Sequence, residues 1–493
     1  MSLAVTFALL FLLIPQVLAG QGLDSATAQA TARGGYFDTA WPSEHADLWR
    51  SHAAQGAGLP AGFDPATLTV TAASLDLPVW GYTRAKDEVF VIGGSPFTLS
   101  TFTQSMKTGK PVRGAAAFSA MVGDLLSGSR PYLAKVRPSD MSTTIIPLTG
   151  GSTVNYTGGL LMHRNGSVYA VARSMLYKID PRTMTIEKSV MLPLVEGSSF
   201  WTTYNGLQVL SSGELVLKGF HMRDSARTQG WLLLVDPESL AIDVKQGAYV
   251  SSARLMIGED AEGRIWLYHV NALESLRFEV TEKGFAIDSG WTRPYRAATD
   301  KSSQASSPLL FGTIGQVVFA DNTAPGATTP IKLYTQAASV PEKPGSLDGR
   351  PAFSESLPGY NFFMVAGDPY NFQLCVYYDP INALVSAHRV KPDGSLEPVW
   401  ERSGYRASAS PALVPDRDLL YIDDWKDGHD HLVVLRLSTG EELASVALSS
   451  RMPTIGTIFP GMDDDVFLIS SEAGGQGLIS RIFVQSTDER SVK

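Results

Sequence analysis

The chain of 493 residues has one cysteine, Cys375, so no internal disulfide can staple it and its stability must come from a buried core. Cys375 lies in the strand-like run FQLCVYY, where a lone thiol reads as core packing. A basic stripe is also missing. The formal charge is −9 with acids and bases interspersed, which argues against a nucleic-acid surface. Beyond residue 19 no apolar run approaches the length a membrane helix needs, so no membrane span is expected in the mature chain. Gly-x-Ser-x-Gly, Ser-x-x-Lys, His-Glu-x-x-His and a phosphate-cradling Gly-rich loop with Lys do not occur. These absences remove several common hydrolase and nucleotide-binding chemistries.

What is present is strand punctuation. Forty-five glycines and twenty-nine prolines are enough to break the chain into many short strands. Ala4 to Ala19 is an apolar segment ending Val17-Leu18-Ala19-Gly20, which reads as a signal peptide over 1–19 although no Lys or Arg precedes it, with an uncleaved N-terminal anchor as the alternative. Secretion or a periplasmic location is therefore expected. Residues 20–61 read as a lead: flexible from Gln21 to Arg33, then a short helix over Ser43 to Ala53, capped by Ser43 and stopped by GAGLPAG. A propeller domain is expected over 62–485 and a tail over 486–493.

The stretch Trp201 to Asn271 sets the pattern for that domain. Apolar runs lead into tight turns at Ser212-Gly213 and Glu262-Gly263, with a second hairpin bending at Asp236-Pro237-Glu238-Ser239 between them. The same kind of strand recurs as DEVFVIGG, NGSVYAV, SGELVLKG, EGRIWLY, GQVVFAD, NFQLCVYYD, DRDLLYIDD and DDDVFLISS. A partner strand follows each of the eight. The expectation is an all-β, single-domain β-propeller of about eight four-stranded blades, with seven as the alternative. An insert before Tyr132 carries a helix candidate, Ala115 to Leu126.

The runs LYKIDPRTMT, WLLLVDPESL and LVVLRLSTGEEL resemble the hairpins of quinoprotein-like propellers. TTYNGLQVLSSGELVLKG and GEDAEGRIWLYHVN resemble units of the SMP-30, gluconolactonase and strictosidine-synthase-like group. Both likenesses are superfamily-wide. The second implies calcium as a cofactor, with Asn205 as one ligand. Where that group places an Asp, this chain has Ala253-Arg254-Leu255, with no carboxylate. The first implies a quinone, but its dehydrogenases carry a vicinal cysteine pair, and one cysteine argues against pyrroloquinoline quinone.

In a propeller the start of each inner strand and the end of the next strand share one mouth of the channel. The inner-strand starts offer Tyr204, Asn205, Arg254, Ser307, Tyr360, Asn361, Ser408, Ser410 and Thr454. The following strand ends offer Lys218, His221, His269, Asp321, Asn322, Asp423 and Asp424. From these, His221, His269 and Lys218 are the candidate catalytic groups. Tyr204, Asn205, Arg254, Asn361, Asp423 and Asp424 are candidate ligand contacts, and Asn205, Asp321 and Asn322 candidate metal ligands. For Asn205 a simple turn role, and for the histidines a core or surface role, are the plainer alternatives. The acidic loop 423–431 lacks the EF-hand pattern, since Trp425 and Val434 stand where ligands belong. Three functions follow: a hydrolase- or lactonase-like enzyme on a small polar molecule, a non-catalytic module binding a ligand or a protein partner on one face, or a quinoprotein-like oxidoreductase.

Overall fold

A computed structural model of the chain describes residues 25–94, 130–151, 153–197, 200–222, 226–297, 306–321, 329–339, 345–359, 361, 364–450, 456–471 and 476–485. Eight antiparallel sheets stand in a ring, making an eight-bladed β-propeller. Blades 1 to 4 begin with the inner strands Pro78–Ala85, Thr157–Met162, Thr202–Val209 and Met256–Glu259. Blades 5 to 8 begin with Leu309–Phe311, Ala366–Asp368, Ala412–Val414 and Ile458–Pro460. Each inner strand touches the inner strands of the blades on either side, and blade 8 meets blade 1.

Burial explains the sequence pattern. The inner and second strands are packed on both faces, so nearly every residue is buried, whether apolar as in Val168–Ala172 or polar in part as in Thr202–Val209. The fourth strand of a blade lies at the rim and is largely solvated, as in Thr185–Met191. Hairpin chemistry holds the register: Asp236 accepts the Ser239 amide at 2.7 Å and so builds the turn foreseen there. The circle closes through the N-terminal strand Leu68–Asp76, which pairs antiparallel with Gln476–Val484 and becomes the outer strand of blade 8.

The lead differs from expectation. The helix lies at Ser25–Arg33, in the part read as flexible, and 43–53 is not helical. Instead, residues 36–59 thread the bore. The carbonyls of Leu48, Trp49, Ser51 and His52 accept, in order, the amides of Ile257, Leu310, Gly367 and Leu413, one from each of blades 4 to 7. Trp41 pairs with Thr83 of blade 1, Phe37 and Pro42 with Met162 of blade 2, and Gly58 with Gly461 beyond the inner strand of blade 8. Blade 3 is reached through Tyr36, whose hydroxyl donates to Gln208 at 3.1 Å.

A helix cannot serve this circle, because its carbonyls all point along one axis. Left-handed backbone at His45, Ala46, Arg50 and His52 (φ 70°, 73°, 56° and 60°) accompanies the outward-facing carbonyls. The insert helix candidate 115–126, the apolar segment 1–19 and the tail 486–493 lie outside the described residues.

Candidate functional site

Five of the sequence-derived residues are gathered at the bore wall between blades 3 and 4. Asn205-Gly206 is a bulge inside a strand and not a hairpin turn. Gly206 has φ +69°, and the register with the second strand shifts between Asn205 and Gln208. The bulge leaves Asn205 opposite Lys218. Lys218 donates to Asn205 Oδ1 and, at 2.6 Å, to the Ser251 carbonyl. Its ammonium position lies 4.6 Å from the Phe220 ring centre. Asn205 Nδ2 donates to the Ser252 carbonyl at 2.8 Å. Tyr204 sits beside it in the strand, its hydroxyl donating to the Pro193 carbonyl.

His269 accepts the Ser251 amide on Nε2 at 2.9 Å, so the neutral ring carries its proton on Nδ1. Arg254 closes the group. Its guanidinium holds Glu44 Oε1 through Nε at 2.9 Å and Nη2 at 2.6 Å. Glu44 belongs to the bore segment, a partner no motif announced.

Electrostatics follow from burial. Lys218 is fully buried, and desolvation, reinforced by Arg254 and Arg50, pushes its pKa well below the usual lysine value. Desolvation and then the nearby Lys218 hold His269 neutral. Burial also works against charge on Arg254, but Glu44 outweighs it and holds the guanidinium above its ordinary value. Arg50, buried in the bore, is brought down to about 10 by desolvation, with Glu44 opposing.

The remaining described candidates lie elsewhere, most of them with structural partners. Strand alternation turns His221, half-buried at the end of Leu215–His221, to the face opposite Lys218. Asp321 is ion-paired with Arg296, and Asn361 donates to the Tyr378 carbonyl. Asp424 accepts the Arg406 amide at 2.9 Å and sits 3.3 Å from Lys426. Asn322, Tyr360 and Thr454 lie outside the described residues. Among the described residues no group of three His, Cys, Asp or Glu is placed to hold a metal ion.

Asp423 clamps the connection into blade 7. It accepts the Ser408 amide at 2.8 Å, the Ala409 amide at 2.7 Å and the Ser408 hydroxyl at 2.7 Å. Burial nevertheless raises its pKa to about 6. A raised folded pKa contributes stability below the unfolded value near 4 that is lost as pH rises through about 6. Asp423→Asn keeps an oxygen for both amides and supplies an N–H to the Ser408 hydroxyl. Its stability relative to wild type is therefore expected to rise by about 2–3 kcal/mol between pH 4 and pH 7.5. Denaturant melts at the two pH values measure this, and a pH-independent difference would contradict it.

A separate cavity of about 600 Å³ lies between blades 4 and 5, lined by Trp266, Tyr268, Arg264 and Arg277 among others. Its two arginines are paired within it, Arg277 with Asp288 and Arg264 with Asp260.

With this geometry established, comparison with solved structures returns propellers. Quinohemoprotein alcohol dehydrogenase from Comamonas testosteroni aligns over 94% of this chain and 83% of its own, at TM-score 0.57 and 10% identity. The Dos1 propeller aligns over 86% of this chain and 94% of its own, at 0.49 and 10%. The periplasmic gluconolactonase PpgL of Pseudomonas aeruginosa aligns over 66% and 95%, at 0.42 and 12%. At 10% identity the first of these shows a shared fold alone. No protein-family model matches the chain, and no curated protein matches its sequence.

Proposed function

We propose that this chain is an exported propeller that binds a small polar molecule at the mouth between blades 3 and 4 and does not turn it over. The observation carrying this reading is how the mouth residues are engaged. General acid–base catalysis needs a titratable pair within hydrogen-bond reach of a substrate. Here Lys218 and His269 are sealed at 0% and 1% exposure, and the one carboxylate near them, Glu44, is held by Arg254. Asn155, Tyr156 and Arg254 are each 8% exposed, more than Lys218 or His269. Amide, phenol and guanidinium suit hydroxyl, carbonyl or carboxylate groups.

The enzyme reading stands second, and its support is Lys218. Burial lowers the pKa of this amine, and a lowered pKa is one of the ways a carbonyl-directed lysine nucleophile is activated. Calorimetric screening of small sugars, lactones and hydroxy acids, with and without calcium, tests both. Tyr156→Phe is expected to weaken a hit about tenfold and leave the melting temperature unchanged. Turnover of any hit that vanishes in Lys218→Met would replace the binding reading with the enzymatic one.

A further inference from the structure

Polar atoms without partners collect in the bore around Glu44. His52 donates through Nδ1 to the Pro411 carbonyl at 3.0 Å, which leaves an unshared lone pair on Nε2. Neither nitrogen of His45 has a hydrogen bond, and neither do Trp41 Nε1, Arg50 Nη2 or Glu44 Oε2. All five side chains belong to the bore segment and are 0–3% exposed.

They also form one constellation. The His45 and His52 rings lie 4.3 Å apart at 30°, Trp41 stands edge-on to His52 at 6.3 Å, and Trp80 edge-on to His45 at 5.7 Å. Glu44 Oε1 is 3.7 Å from His45 Nε2, and Glu44 Oε2 is 3.8 Å from Arg50 Nη1, both too long for hydrogen bonds. Three of the four left-handed non-glycine residues of the segment, His45, Arg50 and His52, carry these side chains. Such strain at polar residues points to a site.

Charge and hydrogen-bond count together select the occupant. Arg50 and Arg254 face a single carboxylate, Glu44. Asp47 is engaged elsewhere, accepting from the Ser51 amide, the Ser51 hydroxyl and the Tyr370 hydroxyl. Burial holds both histidines neutral, with His52 brought down to about 3. Around Glu44, among the described residues, two guanidinium groups thus meet one carboxylate, and water cannot offset the buried charge that is left without a close partner. The open valences are mixed: N–H groups of Arg50, Trp41 and His45, and lone pairs of His45, His52 and Glu44. A halide answers only the donors, and a metal ion would sit beside two guanidinium groups.

We propose that the bore binds a small monoanion carrying both an anionic oxygen and an O–H, of the class of bicarbonate or glycolate. Its anionic oxygens accept from Arg50 and Trp41, and its O–H donates to His52 Nε2 or Glu44 Oε2. This inference rests on Arg50, Trp41 and His52, which the mouth reading does not use.

The test uses the whole chain with bicarbonate and glycolate as probes, against chloride and formate at equal ionic strength. Bicarbonate or glycolate is expected to raise the melting temperature by at least about 2 °C, with chloride and formate giving less. Arg50→Gln should abolish the difference, and Trp41→Phe, a milder change, should reduce it. A crystal structure grown with the active probe should place it within hydrogen-bond distance of Arg50 Nη2. Equal shifts from all four anions, no shift from any, or density explained by water alone would overturn the proposal.

Discussion

Glu44→Ala is expected to destabilise the protein by about 3–5 kcal/mol, because it strands two buried guanidinium groups. Glu44 is 3% exposed and, among the described residues, is the only carboxylate paired with Arg254, while Arg50 lies 3.8 Å from its second oxygen. Removing one member of a buried pair leaves an uncompensated charge in a medium that cannot solvate it. Removing both members is milder, so Glu44→Ala combined with Arg254→Met should recover part of the loss. Chemical denaturation of the two single variants and the double variant gives the coupling directly. A loss below about 1 kcal/mol for Glu44→Ala would mean that water reaches the pair, as it does for exposed ion pairs. That result would also weaken the case for an anion in the bore, since the same leftover charge supports it.

The parts of the molecule that repeat were legible in the sequence, and the part that occurs once was not. Each blade buries two faces of its inner strands, so every blade writes the same signature, from Val89–Ile92 to Val466–Ile469. Eight copies of one pattern fix architecture even when each copy is weak. The mouth was half legible. Strand alternation and the shared edge of each hairpin brought Tyr204, Asn205, Lys218, Arg254 and His269 to one place, and the structure gathers them there.

What the pattern could not carry was the identity of their partners. Asp423 looks like an acidic ligand in sequence and acts as a backbone clamp in the fold. Asn205-Gly206 looks like a turn and forms a bulge. The bore segment was misread for a similar reason. Leu48 and Trp49 beside Ser43 satisfy a helix template, but carbonyl acceptors for four different blades are a tertiary demand with no local signature. Four left-handed residues that are not glycine leave nothing for turn rules to find.

Trp49→Ala is expected to have the second large effect, about 3–5 kcal/mol, and to loosen the bore segment specifically. Trp49 is 1% exposed and stacks on Tyr370 with centroids 5.9 Å apart, while its carbonyl takes the Leu310 amide. On its other side the ring lies so close to Gly312 that a β-carbon there would approach it to 2.4 Å. The indole thus fills the wall of blade 5, and the backbone on either side is held by blades 4 and 6. Truncation leaves a cavity that the inner strands cannot close, since each is fixed by its neighbours in the ring. Gly312→Ala approaches the same contact from the opposite side and should displace the ring, with a loss of about 1–3 kcal/mol. Limited proteolysis distinguishes local loosening from global unfolding: cleavage within 36–59 should precede cleavage in the blade hairpins for both variants. If Trp49→Ala leaves stability within about 1 kcal/mol and the segment uncut, the bore filling is not part of what holds the ring together. If the segment is cut while the blades stay folded, the ring stands without it, and the bore becomes a channel that the chain itself can open.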